Sequence, residues 1–308
     1  KWQQGDQEIA NAWFSACAAT PTPSPTPVIP VLDSDDYDGD GTADISLFRP
    51  STGLWAVRGI TRIYFGQAGD IPVAGDYNND MVTDIGIYRP GHGLWAIKGV
   101  SRFYYGGSSD LPVPGDYTGS GWCNFGIFRE NAGLWAIKNV TRIYYGRSGD
   151  IPVPGYYRGN AAKDIAVFRP SSGLWAIRNV SRLYFGVGTD LPIPESYGNG
   201  HDWQEAIFRG STSLWAIRVL TRLYFGGSGD RAVPADFTGT GRCNYGIFRE
   251  NSGLWAIKNV TRAYFGARGD IPLAGRVPCR ATPPPPPPTP PVPTPTPTPT
   301  PPPPMPTP

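Results

Sequence analysis

The hydrophobic positions of this chain fall in short β-rich runs separated by Gly, Asn, Asp and Pro, as in Ile71 to Tyr77, Asp84 to Tyr88, Leu94 to Lys98 and Arg102 to Tyr105. Each run reads as a strand and each separator as a turn. Ile-Ser-Leu-Phe (residues 45–48) and Leu-Trp-Ala-Ile (residues 94–97) are apolar at consecutive positions, the pattern of a sheet covered on both faces. A sheet with one wet face would alternate more cleanly.

The runs recur. GLWA or SLWA places Trp55, Trp95, Trp135, Trp175, Trp215 and Trp255 at a spacing of 40 that never slips. An aromatic-Arg pair travels with it at Arg49, Arg89, Arg129, Arg169, Arg209 and Arg249, as does an aromatic-Gly step ending at Gly66, Gly106, Gly146, Gly186, Gly226 and Gly266. Four residues past each of those glycines stands an aspartate: Asp70, Asp110, Asp150, Asp190, Asp230 and Asp270. Four strands in 40 residues make one propeller blade, so the expected fold is all-β, a six-bladed β-propeller over residues 31–280. The rival is a β-solenoid of six coils, whose ends need polar caps that are not evident here. Either Val28 to Val31 or Ile271 to Gly275 resembles a first strand and is able to complete the first blade.

Outside the repeats the composition shifts. Residues 1–30 read as an extension and Pro/Thr linker in which Gln3 to Ala18 is compatible with a helix, and residues 281–308 hold half of the 36 prolines. The tail alternates Thr and Pro, which specifies polyproline II; 26 such residues reach roughly 80 Å. Charge is nearly balanced, with 27 basic and 25 acidic residues, so no single-sign field draws nucleic acid or an anionic membrane. The longest apolar stretch, Ile9 to Ala19, is interrupted at Asn11 and is about half of what a spanning helix requires. No nucleic-acid partner and no membrane insertion are expected.

Phe65-Gly66 followed by Gly69-Asp70-Ile71-Pro72, with the run Asp36-Tyr37-Asp38-Gly39-Asp40-Gly41-Thr42-Ala43-Asp44, resembles the FG-GAP repeats of integrin-α and bacterial VCBS type. The resemblance covers about residues 31–280. It implies a propeller whose loops hold calcium, and an extracellular adhesive or scaffold role.

The first loop puts four carboxylates, Asp36, Asp38, Asp40 and Asp44, in nine residues around a turn glycine, and the carbonyl near Thr42 adds an oxygen; hard cations such as calcium want that donor set. The competing reading is a solvated Asx-turn. The second loop keeps Asp76, Asn78, Asp80 and Asp84 but has Met81 in place of the glycine, a weaker site. Loops three and six (Asp116, Thr118, Ser120, Asn124; Asp236, Thr238, Thr240, Asn244) carry one charge each, and loops four (Tyr156, Arg158, Asn160, Asp164) and five (Ser196, Gly198, Gly200, Gln204) hold no metal set.

The recurring Arg and Asp fit a bidentate ion pair in each blade, and the six tryptophans fit packing between blades, with sugar stacking as the alternative. Six equivalent copies around a ring do not converge on one catalytic site. His92 and His201 lie in different repeats without a nucleophile or zinc spacing around them, so no enzyme is expected. Repeat five departs most, at His201, Asp202, Trp203, Gln204 and Glu205, and is the candidate recognition patch if that divergence is more than drift.

Cys17, Cys123, Cys243 and Cys279 point to two disulfides in an oxidising compartment. Cys123 and Cys243 sit three repeats apart, too far to bond each other; the expected pairs are Cys243–Cys279 and Cys17–Cys123, the latter within or between chains. Sequons at Asn139, Asn179 and Asn259 occupy one repeat position that Gly59 and Gly99 fill elsewhere. That exchange indicates a left-handed turn, with N-glycosylation dependent on the host. The tail resembles hydroxyproline-rich wall glycoproteins, which implies hydroxylated prolines and O-glycans at Thr289, Thr294, Thr296, Thr298 and Thr300.

The expected function is an extracellular, secreted structural glycoprotein whose copies join head to tail through terminal extensions into a fibre or coat. The alternative is a monomeric adhesin or lectin-like ring on a Pro-rich stalk.

Overall fold

The computed structural model describes residues 35–159, 161–198 and 202–273. They form six four-stranded antiparallel sheets, a six-bladed propeller. Blade two takes Ile71–Pro72, Gly86–Arg89, Leu94–Ile97 and Ser101–Tyr104 in that spatial order, and blades three to six repeat it at the same spacing. Among the described residues the one helical element is the 3-10 turn Glu130–Ala132, and no helix is long and apolar enough to cross a membrane.

The first strand of each blade is shorter than the sequence suggested. Pro72 has no N–H, so the ladder rests on Val73, whose N–H donates to the Gly86 carbonyl at 2.8 Å, and then on the isolated Gly75–Asp84 bridge. Tyr77 therefore belongs to the loop.

The GLWA strands are buried along their whole length in blades one to four, as consecutive apolar positions require. Phe48 and Trp55 pack as a tilted pair 5.3 Å apart, and every other blade repeats the pair. All six tryptophans are fully buried, and each indole N–H donates to the carbonyl ten residues on, as Trp55 does to Phe65 at 2.9 Å. Burial at this level removes them as sugar-stacking platforms. Each hydrophobic cluster spans a blade junction: Phe48 and Trp55 of blade one meet Ala74, Ile87 and Ala96 of blade two, and Phe248 and Trp255 of blade six meet Ile45 of blade one.

The C-terminal strand closes the ring. Ile271–Pro272 pairs with Ser46–Arg49 in register Phe48–Ile271 and Leu47–Pro272, completing blade one with Leu54–Val57 and Thr61–Tyr64. The other candidate, Val28 to Val31, lies outside the described residues, as do the two terminal extensions.

Candidate functional site

The candidate metal loops bind the blades to one another. Thr83 N–H donates to the Asp36 carbonyl at 2.7 Å, Cys123 to Asp76, Lys163 to Asp116, Trp203 to Tyr156 and Cys243 to Ser196. Ala43 completes the circuit by donating to the Asp236 carbonyl at 2.8 Å. One backbone bond crosses each junction, and the residue of each repeat that donates it is otherwise free to vary. Cys123 and Cys243 are buried at that position, three junctions apart. Their expected partners, Cys17 and Cys279, lie outside the described residues.

Five of the six loops are also braced internally in one way. One side-chain oxygen at the last ligand position accepts the N–H seven residues earlier: Asp44 from Tyr37, Asp84 from Tyr77, Asn124 from Tyr117, Gln204 from Tyr197 and Asn244 from Phe237, at 2.7 to 2.9 Å. Asp, Asn and Gln interchange there because the bond needs an oxygen and not a charge. Asp36 holds the other end, accepting Gly39 N–H at 2.7 Å and Gly41 N–H at 2.9 Å. Asp76 and Asp116 repeat that pattern, Asp76 with Asn79 and Met81. Met81 adopts the left-handed φ of 66° that glycine takes in loop one, and is exposed.

Charge separates the loops. In loop one, oxygens of Asp36, Asp38 and Asp40 lie within 4.8 Å of one another. Asp44 stands near them. Burial pushes its carboxyl up to about 6, with the charges of Asp38, Asp36 and Asp40 adding to the push and the Tyr37 N–H opposing it. Carboxylates crowded in this way, with one half-buried, suit a divalent cation taking hard oxygen ligands. The Thr42 N–H and hydroxyl both donate to one Asp40 oxygen at 2.7 Å.

Loop two pairs its carboxylates through an amide: Asn78 Nδ2 donates to Asp80 at 3.0 Å and to Asp84 at 3.4 Å. Burial raises the Asp84 carboxyl, and Asp80 and Asp76 add to the rise. Loop four places a cation of its own in the nest, the Arg158 guanidinium 2.5 Å from Asp164. Loops three and six close with hydroxyls, as in the 2.9 Å contact of Thr118 with Ser120.

The Arg–Asp pair forms in all six blades. Arg89 Nε and Nη2 donate to the two oxygens of Asp70 at 2.7 and 2.8 Å, and five further pairs match it. The aspartate side chains are sealed from solvent, and the bidentate geometry fixes the strand they start against its neighbour.

The remaining expected residues are distributed. Asn139, Asn179 and Asn259 sit at φ of 60° or 61° in exposed turns, and Gly59 and Gly99 share the conformation. Repeat five uses its divergent residues internally: Trp203 is buried against Tyr156, Gln204 braces its loop, and Glu205 pairs with Arg218 at 3.5 Å. His92 is exposed, and His201 and the tail threonines lie outside the described residues.

No family model and no curated protein matches the chain. Among the solved structures similar to it are two crystal structures of BBS1N in complex with ARL6DN. The one soaked with mercury aligns at 10% identity and a TM-score of 0.48, over 86% of this chain and 95% of that one. The one soaked with lead aligns at 10% identity and a TM-score of 0.49, over 83% and 93%. A likeness of this degree carries no inference about ligand or role.

Proposed function

We propose that this chain is a structural subunit of an extracellular fibre or coat, built from copies joined head to tail through the terminal extensions and the Pro-rich tail. The observation that carries the reading is the common root of the two extensions. The described ring begins at Asp35, whose carbonyl accepts Asp44 N–H, and ends at Leu273, whose N–H donates to Ser46; both belong to blade one. Because both extensions are rooted at one blade, the ring is marked at a single place, and extensions seated on a different part of the next ring make heterologous and therefore extendable contacts.

Calcium fits the same picture. Loop one opens the described residues, and loop two is bonded to it, so a cation held by Asp36, Asp38, Asp40 and Asp44 stiffens the place where the extensions are rooted. The second loop, with Asp76, Asn78, Asp80 and Asp84, is the weaker site. Kinship with FG-GAP repeats, glycosylation at the sequons and tail, and a non-enzymatic role belong to this proposal.

Negative-stain imaging of native material tests it. Unbranched fibres that fall apart when residues 281–308 are deleted are expected; isolated discs would overturn the fibre and favour the lone adhesin.

A further inference from the structure

The outer strand of every blade has one wet face, and that face does not vary. Arg-x-Tyr recurs as Arg62/Tyr64, Arg102/Tyr104, Arg142/Tyr144, Arg182/Tyr184, Arg222/Tyr224 and Arg262/Tyr264. All twelve side chains are exposed, the tyrosines by 69% to 76%. Each tyrosine stands near the arginine of its own blade's Arg–Asp pair, as Tyr64 does to Arg49 and Tyr104 to Arg89, but most of its surface is left to solvent. The next exposed pair in each repeat drifts freely, from Gln67-Ala68 to Arg147-Ser148 to Val187-Gly188, so duplication alone does not account for six identical pairs. Among the described residues none of these six arginines forms an ion pair, and the residue entering the same hairpin (Arg58, Lys98, Lys138, Arg178, Arg218, Lys258) is basic in all six blades.

The near-neutral total therefore hides a segregation. Most acidic residues lie in the metal loops or in sealed Arg–Asp pairs, and the outer rim is left basic.

The arginines of the pairs border grooves, as Arg142 and Arg62 do. Arg and Tyr are two apart on one strand and so share a face, the face that looks at the preceding blade. Between blades two and three, a groove of about 510 Å³ is lined by Tyr105, Gly106, Leu134, Asn139 and Arg142. Between blades six and one the equivalent groove holds Phe265, Gly266, Leu54 and Arg62. Across the next junction Arg182 and Arg178 act on Tyr145, opposing the upward push that burial gives its hydroxyl.

We infer that the rim binds an anionic polysaccharide, one acidic sugar at each blade junction, with the outer-strand arginine on its carboxylate or sulfate and the tyrosine ring against its pyranose face. A pyranose acid offers an apolar ring face and a planar or tetrahedral anion, and Arg-x-Tyr presents the two complements on one face of a strand, two residues or roughly 7 Å apart. Neutral sugar would leave the guanidinium unused. Repetition around the ring suits a polymer, because linked weak sites act together. This goes beyond the fibre reading and does not rest on it, since isolated rings are expected to bind equally.

The full chain is titrated with polygalacturonate, dextran and single-stranded poly(dT) of matched length. Polygalacturonate is expected to bind with affinity falling steeply as salt rises, dextran not at all, and poly(dT) at least tenfold more weakly. Changing all six outer-strand arginines to Gln, or all six tyrosines to Ala, is expected to cost at least tenfold, whereas six Tyr→Phe changes keep the affinity. Parental binding in the six-Ala ring, or poly(dT) binding as tightly as polygalacturonate, overturns the inference and leaves a general polyanion or nucleic-acid surface. If six changes unfold the ring, R62Q/R102Q/R142Q carries the test, with about half the salt slope lost; an unchanged slope refutes the site.

Discussion

Arg49 and Asp270 lie 221 residues apart and meet through two hydrogen bonds, Nε at 2.6 Å and Nη2 at 2.8 Å. The same pair elsewhere joins residues 19 apart, but here it locks the last described strand onto the first blade. Asp270→Ala leaves the Ala267 N–H without its acceptor and frees a guanidinium that is one-third exposed, and is expected to cost about 2 kcal/mol. Asp110→Ala removes the same bidentate pair without touching the closure. Urea unfolding is expected to stay a single transition for Asp110→Ala and to lose cooperativity for Asp270→Ala; matching curves would show that closure adds nothing.

Loop one is expected to give the protein a pH-dependent stability. Asp44 holds its proton up to about 6 in the fold against an ordinary 3.8. Between those values the folded state binds more protons than the unfolded chain, so stability falls as pH rises through the window, and the loss is complete above about 6. Calcium, by compensating the carboxylates, is expected to remove that decline. Asp44→Asn keeps an oxygen for Tyr37 N–H, as Asn124 and Asn244 do in their loops, and should flatten the profile while abolishing calcium stabilisation. Thermal melts from pH 4 to 7, with calcium and with chelator, decide it; a parent insensitive to calcium would discard the metal site.

Val219 has a φ of 55° where blades three, four and six place Asn and blades one and two place Gly. A β-branched residue is poorly suited to that conformation, which costs ordinary residues roughly 1–2 kcal/mol. Its side chain is 89% exposed and offers no packing in return. Val219→Gly is expected to stabilise the ring by about 1 kcal/mol and to raise Tm by ~2–4 °C. Differential scanning calorimetry checks this, and a lower Tm would mean the turn is not strained.

Blade number, the Arg–Asp pairs and the buried tryptophans were legible because each depends on a residue type repeated at a constant spacing. The left-handed turn was legible from Asn139 exchanging with Gly59. Closure was not, since Val28 to Val31 and Ile271 to Gly275 carry the same apolar pattern and only pairing distinguishes them. The inter-blade circuit was hidden for the opposite reason: it uses backbone atoms, so Ala43, Thr83, Cys123, Lys163, Trp203 and Cys243 serve equally and leave no residue signature. Arg-x-Tyr was present in all six repeats, but its meaning required knowing that both side chains face water.

The closing strand Ile271–Pro272 is two residues long, and its hold on blade one lies in a few backbone bonds, one ion pair and the packing of Ile271 and Leu273 in the cluster of Phe48 and Trp55. A pull between the segment before Asp35 and the segment after Leu273 is borne by that seam, because both anchor points are in the same blade. The ring therefore opens there first, like a clasp. After the clasp yields, blades peel one at a time, each releasing 40 residues or roughly 130 Å of extended chain. A fibre of such rings under tension would lengthen in steps before any subunit separated from its neighbour.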